Sequence, residues 1–184
     1  EEILRAHALP GKELWLEPVL AHWHSPRREQ VRAWAASLLP GRVSFAGRLE
    51  SPEVAVALRQ ARLVAVPSLV REAFPLVTLE GLASGAPPVS ADHGGLSAVL
   101  DEFEPRLGSL GPMLRVTVGP AFVANLAERM VQVLRHLAAP SDRARESVRC
   151  RTLAVDRYGW DRVAADLEAQ YRLAIVPSVT AAAS

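Results

Sequence analysis

Short apolar runs, each followed by a helix-start signal, restrict this chain more than any other feature. The runs are Glu13–Val19 (ELWLEPV), Val43–Ala46, Leu63–Val66, Pro88–Ala91 and Met113–Val118. Helical patterns fill the gaps: Ser25-Pro26 to Leu39, Ser51-Pro52 to Gln60, Pro75 to Gly85, Leu96 to Leu100, and Pro120 to Leu137. A further region runs from a Ser141 cap to Ala174, with a break near Gly159. Serine ahead of proline supplies both a side-chain cap and a preset φ at the first helical position. Strands alternating with helices predict the α/β class, as a Rossmann-like, mostly parallel sheet with helices on both faces. One domain is expected over residues 1–176, with 177–184 a flexible tail that has nothing to pack. In such sheets ligands sit beyond the carboxyl ends of the strands. The loops after Val19, Ala46, Val66 and Ala91 are therefore the candidates.

Composition removes several functions. Net charge is +1, so no global electrostatic case exists for nucleic acid or an anionic membrane. Nearly all the positive charge is arginine, Lys12 being the only lysine. The single Cys150 cannot form an internal disulfide, which fits a reducing compartment. No apolar run approaches the roughly 20 residues a membrane-spanning helix needs, and the start shows no signal-peptide pattern. A soluble, cytoplasmic domain is expected.

The most informative stretch is Val64 to Gly85, VAVPSLVREAFPLVTLEGLASG. It reads as a strand, a turn through Pro67 and Ser68, a charged pair Arg71-Glu72, and a small-residue helix ending at Gly85. A helix starting at Pro75 puts Glu72 in the preceding loop and Glu80 on the second turn. The free amides of Phe74, Leu76 and Val77 would then point at an anionic group, with a carboxylate on either side. Glu72 has a plainer reading, as a carboxylate complementing the helix dipole. Glu80 has one as a solvated helix residue, although Gly81, Ala83 and Ser84 suggest close packing there. His22 and His24 lack a nearby third ligand, so no metal is expected. The arginines of the last helices (Arg143, Arg145, Arg149, Arg151, Arg157) read as a solvated face, and Cys150 as inert. No serine elbow or phosphate-cradling lysine loop is present.

From Glu13 to Tyr171 the runs VSFAG, RLVAVPS, REAFPLVTLEGLASGAPPVSADHGG, YGW and LEAQY resemble the C-terminal, nucleotide-sugar-binding domain of family-four retaining glycosyltransferases. These enzymes have the two-domain fold called GT-B. The resemblance implies sugar transfer from a nucleotide donor, uridine- or guanosine-diphosphate-linked, with retention and without a metal or other cofactor. By the same resemblance Glu72 contacts the donor sugar near its reacting carbon and is the catalytic candidate. Ala73, Phe74, Pro75, Leu76 and Val77 supply the backbone at sugar and phosphates, and Glu80 accepts from the ribose hydroxyls. Gly47, Arg48 and Leu49 frame the base, and Gly94 and Gly95 form a turn near the donor. Tyr158 and Trp160 match an aromatic pair at the C-terminal helix break, where packing is the expected role.

Departures accompany the match. Ala73 and Pro75 stand where the family has glycines, no glycine turn follows Val19, and Ser97 stands at a usually acidic position. The family's domain opens with a strand followed by an arginine and a lysine that grip the diphosphate, and this chain starts after them. The resemblance therefore implies a longer enzyme with an N-terminal domain for an unknown acceptor, or a version lacking parts needed for turnover. The alternative is a non-catalytic binding or scaffolding module on a degenerate glycosyltransferase fold. Another nucleotide-sugar enzyme of this fold, such as an epimerase, would lack the glutamate context.

Overall fold

A computed structural model describes Leu14, Trp15, Gln30, Ala33, Ser37, Val43, Ser44, Ala46 and residues 48–175. The chain divides into two compact units, Glu1–Ala57 and Leu58–Ser184, each taken by itself. In the first, strands β1 (Leu14–Trp15) and β2 (Val43–Ser44) pair in parallel. Gln30, Ala33 and Ser37 are helical, within the expected 25–39 helix. The remainder of that helix, His22, His24 and the tail lie outside the described residues. Helix α1 (Ser51–Gln60) starts one residue earlier than its serine-proline signal predicts. Its cap is Glu50, whose carbonyl accepts from the amides of Glu53 and Val54 at 2.9 and 3.0 Å. The Glu53 carboxylate reaches back to the Glu50 amide at 2.8 Å, half of a capping box, so Ser51 is not needed as a cap.

The second unit holds β3 (Val64–Val66), α2 (Leu76–Ala83), β4 (Pro88–Asp92), α3 (Gly94–Phe103), β5 (Arg115–Thr117), α4 (Phe122–His136), α5 (Pro140–Tyr158) and α6 (Trp160–Ile175). Its sheet runs β3-β4-β5, all parallel, with Val66 opposite Ser90 and Ala91 opposite Val116. Strand β4 is central and buried on both faces from Pro88 to Ala91, the small Ser90 included, so its burial is continuous rather than alternating. Pro88 is tolerated because it is the first residue of the strand. Helices α2 and α3 make the crossovers, and α4 packs on β4 and β5. Leu96, Leu100, Phe103, Val116 and Val133 close the core around Val89.

Helix α2 stops where the sequence says it should. Gly85 adopts φ +80°, the Gly85 amide bonds the Leu82 carbonyl, and the Ala86 amide bonds the Gly81 carbonyl, both at 2.9 Å. That is a Schellman termination, which favours glycine at this residue. A Cβ on Gly85 would lie 2.1 Å from Ser147 Oγ of α5, so the small-residue run also lets these helices approach closely.

The structure corrects four local expectations. Gly94 and Gly95 are the first two residues of α3, not a turn ahead of it, and α3 extends to Phe103. Helix α2 begins at Leu76, with Pro75 as its cap. Helix α5 begins at Pro140 after Ala139, which puts Ser141 inside the helix, not at its cap. Trp160 is 86% exposed, so packing explains Tyr158 but not Trp160. The arginine face is also more paired than a solvated one. Arg145 bonds Asp142 and Glu146 at 2.8 and 3.1 Å, and Arg157 bonds Glu102.

Cys150 is fully buried in α5. Burial pushes its thiol up to about 12, and the neighbouring Glu146 carboxylate adds to the shift. The thiolate is the reactive form, so native protein at about pH 8 should resist iodoacetamide and label only after denaturation. Stoichiometric labelling of the folded protein within minutes would contradict this burial.

Candidate functional site

The carboxyl end of β3 opens into the loop Pro67–Pro75, which is tied to the start of α3 at two points. The ring Nε2 of His93 lies 2.6 Å from the Ser68 carbonyl. A carbonyl only accepts, so this nitrogen carries the proton. Further on, the Gly95 amide donates to the Glu72 carbonyl at 2.8 Å. A Cβ on Gly95 would stand 2.3 Å from the Ala73 oxygen and 2.8 Å from the Glu72 oxygen. Gly94 has φ +55°, and a Cβ there would lie 3.1 Å from the same Glu72 oxygen. The two glycines thus let the loop backbone lie directly against the first turn of α3. Glu72, Ala73, Gly94 and Gly95, far apart in sequence, meet at the carboxyl ends of β3 and β4.

Beyond Glu72 the chain turns into α2. Pro75 is buried and sets the entry, and the Thr78 amide closes on its carbonyl at 3.1 Å. Leu76 and Val77 are the first helical residues, whose amides have no partner one turn earlier in a helix. Ala73, Phe74, Leu76 and Val77 are exposed and Glu72 is half-buried. Glu80 is exposed on the second turn of α2, so the close packing of the small residues falls on other faces of the helix. Arg71 is exposed and makes no ion pair among the described residues. In the first unit Arg48 is exposed, 4.0 Å from Glu50, and Leu49 is half-buried. Gly47 lies outside the described residues.

Two features of this end escaped sequence reasoning. Ser97, at the usually acidic position, donates to the Asp92 carboxylate at 2.6 Å and so fixes the first turn of α3 to the end of β4. The ring of Phe74 meets Tyr158 at the end of α5, with centroids 5.8 Å apart. The glycine pair flagged the loop around His93, but nothing local flags a contact between Phe74 and Tyr158. Among the described residues no group of three or more His, Cys, Asp and Glu is placed to hold a metal ion. No helix among them is long and apolar enough to cross a membrane.

Residues 21–136 match the sequence profile of the family Glycosyl transferases group 1. The chain belongs to that family. Phosphatidyl-myo-inositol mannosyltransferase of Mycobacterium leprae is 32% identical over 144 residues, covering 78% of this chain and 34% of that protein. D-inositol 3-phosphate glycosyltransferase of the same species is 34% identical over 137 residues, covering 74% of this chain and 29% of its own length. The chain thus spans about a third of the length of these relatives. Sucrose-phosphate synthase from Thermosynechococcus elongatus superposes with a TM-score of 0.62 at 21% identity, over 94% of this chain and 48% of that one. That likeness shows the fold: this glycosyltransferase domain is a parallel sheet flanked by helices, one half of a GT-B architecture.

Proposed function

We propose that this glycosyltransferase domain is the donor-binding half of a retaining enzyme that takes a sugar from a nucleoside diphosphate. One observation carries the reading. The Glu72–Ala73 backbone is clamped against Gly94–Gly95 at the carboxyl ends of β3 and β4, while Glu80 stays exposed one turn into α2. The half-buried Glu72 carboxylate orients the sugar near its reacting carbon. The amides at the start of α2 and their dipole face the sugar and phosphates and stabilise the leaving diphosphate electrostatically. Pro75 removes one amide from this set but fixes the entry of the helix. Glu80 accepts from the two ribose hydroxyls. The acceptor binds to a separate N-terminal domain, and no metal is called on.

Calorimetric titration of uridine and guanosine diphosphates into the full-length protein tests this. Binding of one of them is expected, and silence at millimolar ligand would sink the donor-site reading in favour of a non-catalytic module. Glu80→Ala should weaken that binding by about 1–3 kcal/mol, the cost of hydroxyls losing a charged acceptor. An unchanged affinity removes Glu80 from the site.

A further inference from the structure

The loop that carries Glu72 is held by α3 on one side, and its exit, at Phe74, rests on the last residue of α5. The Phe74 ring is 50% exposed and meets the Tyr158 ring at 5.8 Å with a 59° tilt, a favourable offset geometry. Tyr158 is itself fixed from beneath. Its other ring neighbour is the fully buried Phe103, also at 5.8 Å. Its hydroxyl donates to one oxygen of Glu102 at 2.5 Å, while Arg157 donates to the other. The Arg157 guanidinium lies 5.8 Å from the same ring and extends toward Asp166 of α6, at 3.8 Å.

We propose that Tyr158 is a positioning residue for the donor loop: its ring seats Phe74, and Glu102 fixes its hydroxyl, so that the backbone from Glu72 to Val77 is held in place. The inference rests on the donor-site reading above. Through the Phe74 ring, the C-terminal helix break then controls how tightly the amides at the start of α2 bind. Two further observations fit this role. Phe74 lies between the two segments whose alignment the site needs, the Glu72 loop and the first turn of α2. Burial pushes the Glu102 carboxyl up, but the hydrogen bonds from Tyr158 and Arg157 outweigh it and leave its pKa below the usual 4.5. A carboxyl depressed in this way stabilises the fold above its unfolded pKa and loses that contribution as pH falls through the folded value. The brace is therefore fully formed at neutral pH.

The test uses the full-length protein, the diphosphate that binds in the titration above, and three variants. Tyr158→Leu keeps apolar bulk but removes both ring face and hydroxyl, and should weaken diphosphate binding about tenfold, the order expected when a side chain must be ordered on binding. Tyr158→Phe keeps the ring, so it should recover most of that loss. Leu137→Ala, at the opposite end of the sheet beside Arg62, lowers stability comparably and should leave affinity unchanged. Hydrogen exchange of the amides at residues 72–77 should quicken in Tyr158→Leu and stay as in the parent for Leu137→Ala. Equal affinity in parent and Tyr158→Leu, or equal losses in Tyr158→Leu and Leu137→Ala, overturns the positioning role while leaving the donor site standing. Failure of the parent to bind either diphosphate overturns both.

Discussion

Replacing Gly95 with valine should unfold the protein more readily by about 3 kcal/mol and abolish tight diphosphate binding, the largest effect expected of any single change at this end of the sheet. The added Cβ alone would sit 2.3 Å from the Ala73 oxygen and 2.7 Å from its carbon. Both are backbone atoms, so no flexible side-chain tip can swing aside. The loop must move or α3 must start later, and either displaces Glu72 and breaks the Gly95–Glu72 hydrogen bond of 2.8 Å. A built-in comparison exists at Gly119, where an added Cβ meets nothing within 4 Å. Gly119→Ala should shift stability by no more than about 0.5 kcal/mol. Urea melts of the two variants, read beside diphosphate titrations, decide the matter. If Gly95→Val melts with Gly119→Ala and binds like the parent, the clamp between loop and helix does not exist.

Arg115→Met should cost about 2–3 kcal/mol, next largest after Gly95. Arg115 is three-quarters buried and serves three carboxylates: Asp92 at 2.6 Å, Asp101 at 2.5 Å and Glu104 at 3.0 Å. Burial works against its charge, but hydrogen bonds to Asp101 and Glu104 with the Asp92 charge outweigh it, and its pKa rises above the ordinary arginine value. A group raised in this way gives its stability below the unfolded value and loses it only at higher pH, so deprotonation of the arginine does not remove that contribution at neutral pH. Methionine keeps the bulk but leaves three acids facing one another, and that like-charge cluster is the main cost. Lysine restores one charge without the planar fork, so Arg115→Lys should recover only part of the loss. A denaturant midpoint for Arg115→Met within error of the parent would show that the acids are carried by solvent instead. Diphosphate affinity should fall as well, because Asp92 also receives the Ser97 hydroxyl that fixes the start of α3.

How much of this is legible in the chain depends on the range of the interaction. The stop at Gly85 can be read because a glycine after a small-residue helix is a local signal, and the structure puts φ +80° there. The buried run Pro88–Ala91 can be read because a central parallel strand must be apolar on both faces. Gly94 and Gly95 read as a turn because glycine is a poor helix former when judged locally. What makes them helical is distant: the Glu72 carbonyl takes the Gly95 amide, and only glycine leaves room for that approach. Ser51 and Ser141 read as caps for a related reason, since the true helix start is set by whichever neighbour satisfies the first amides. For α1 the Glu50 carbonyl does so, taking the Glu53 and Val54 amides, while the Glu53 carboxylate takes the Glu50 amide.

The candidate site divides in the same way. Sequence by itself determined the α/β class, the segment carrying Glu72 and Glu80, the small-residue helix and the glycine pair. Each of these is written in residues close enough together for spacing, chain stiffness and apolar periodicity to specify them. Only the tertiary structure decided that Glu72 lies against Gly95, that Ser97 belongs to Asp92, that Arg115 gathers three acids and that Tyr158 seats Phe74. Those contacts join β3, β4, β5 and α5, and which residues meet is fixed by strand order and register, quantities that no local pattern in the chain encodes.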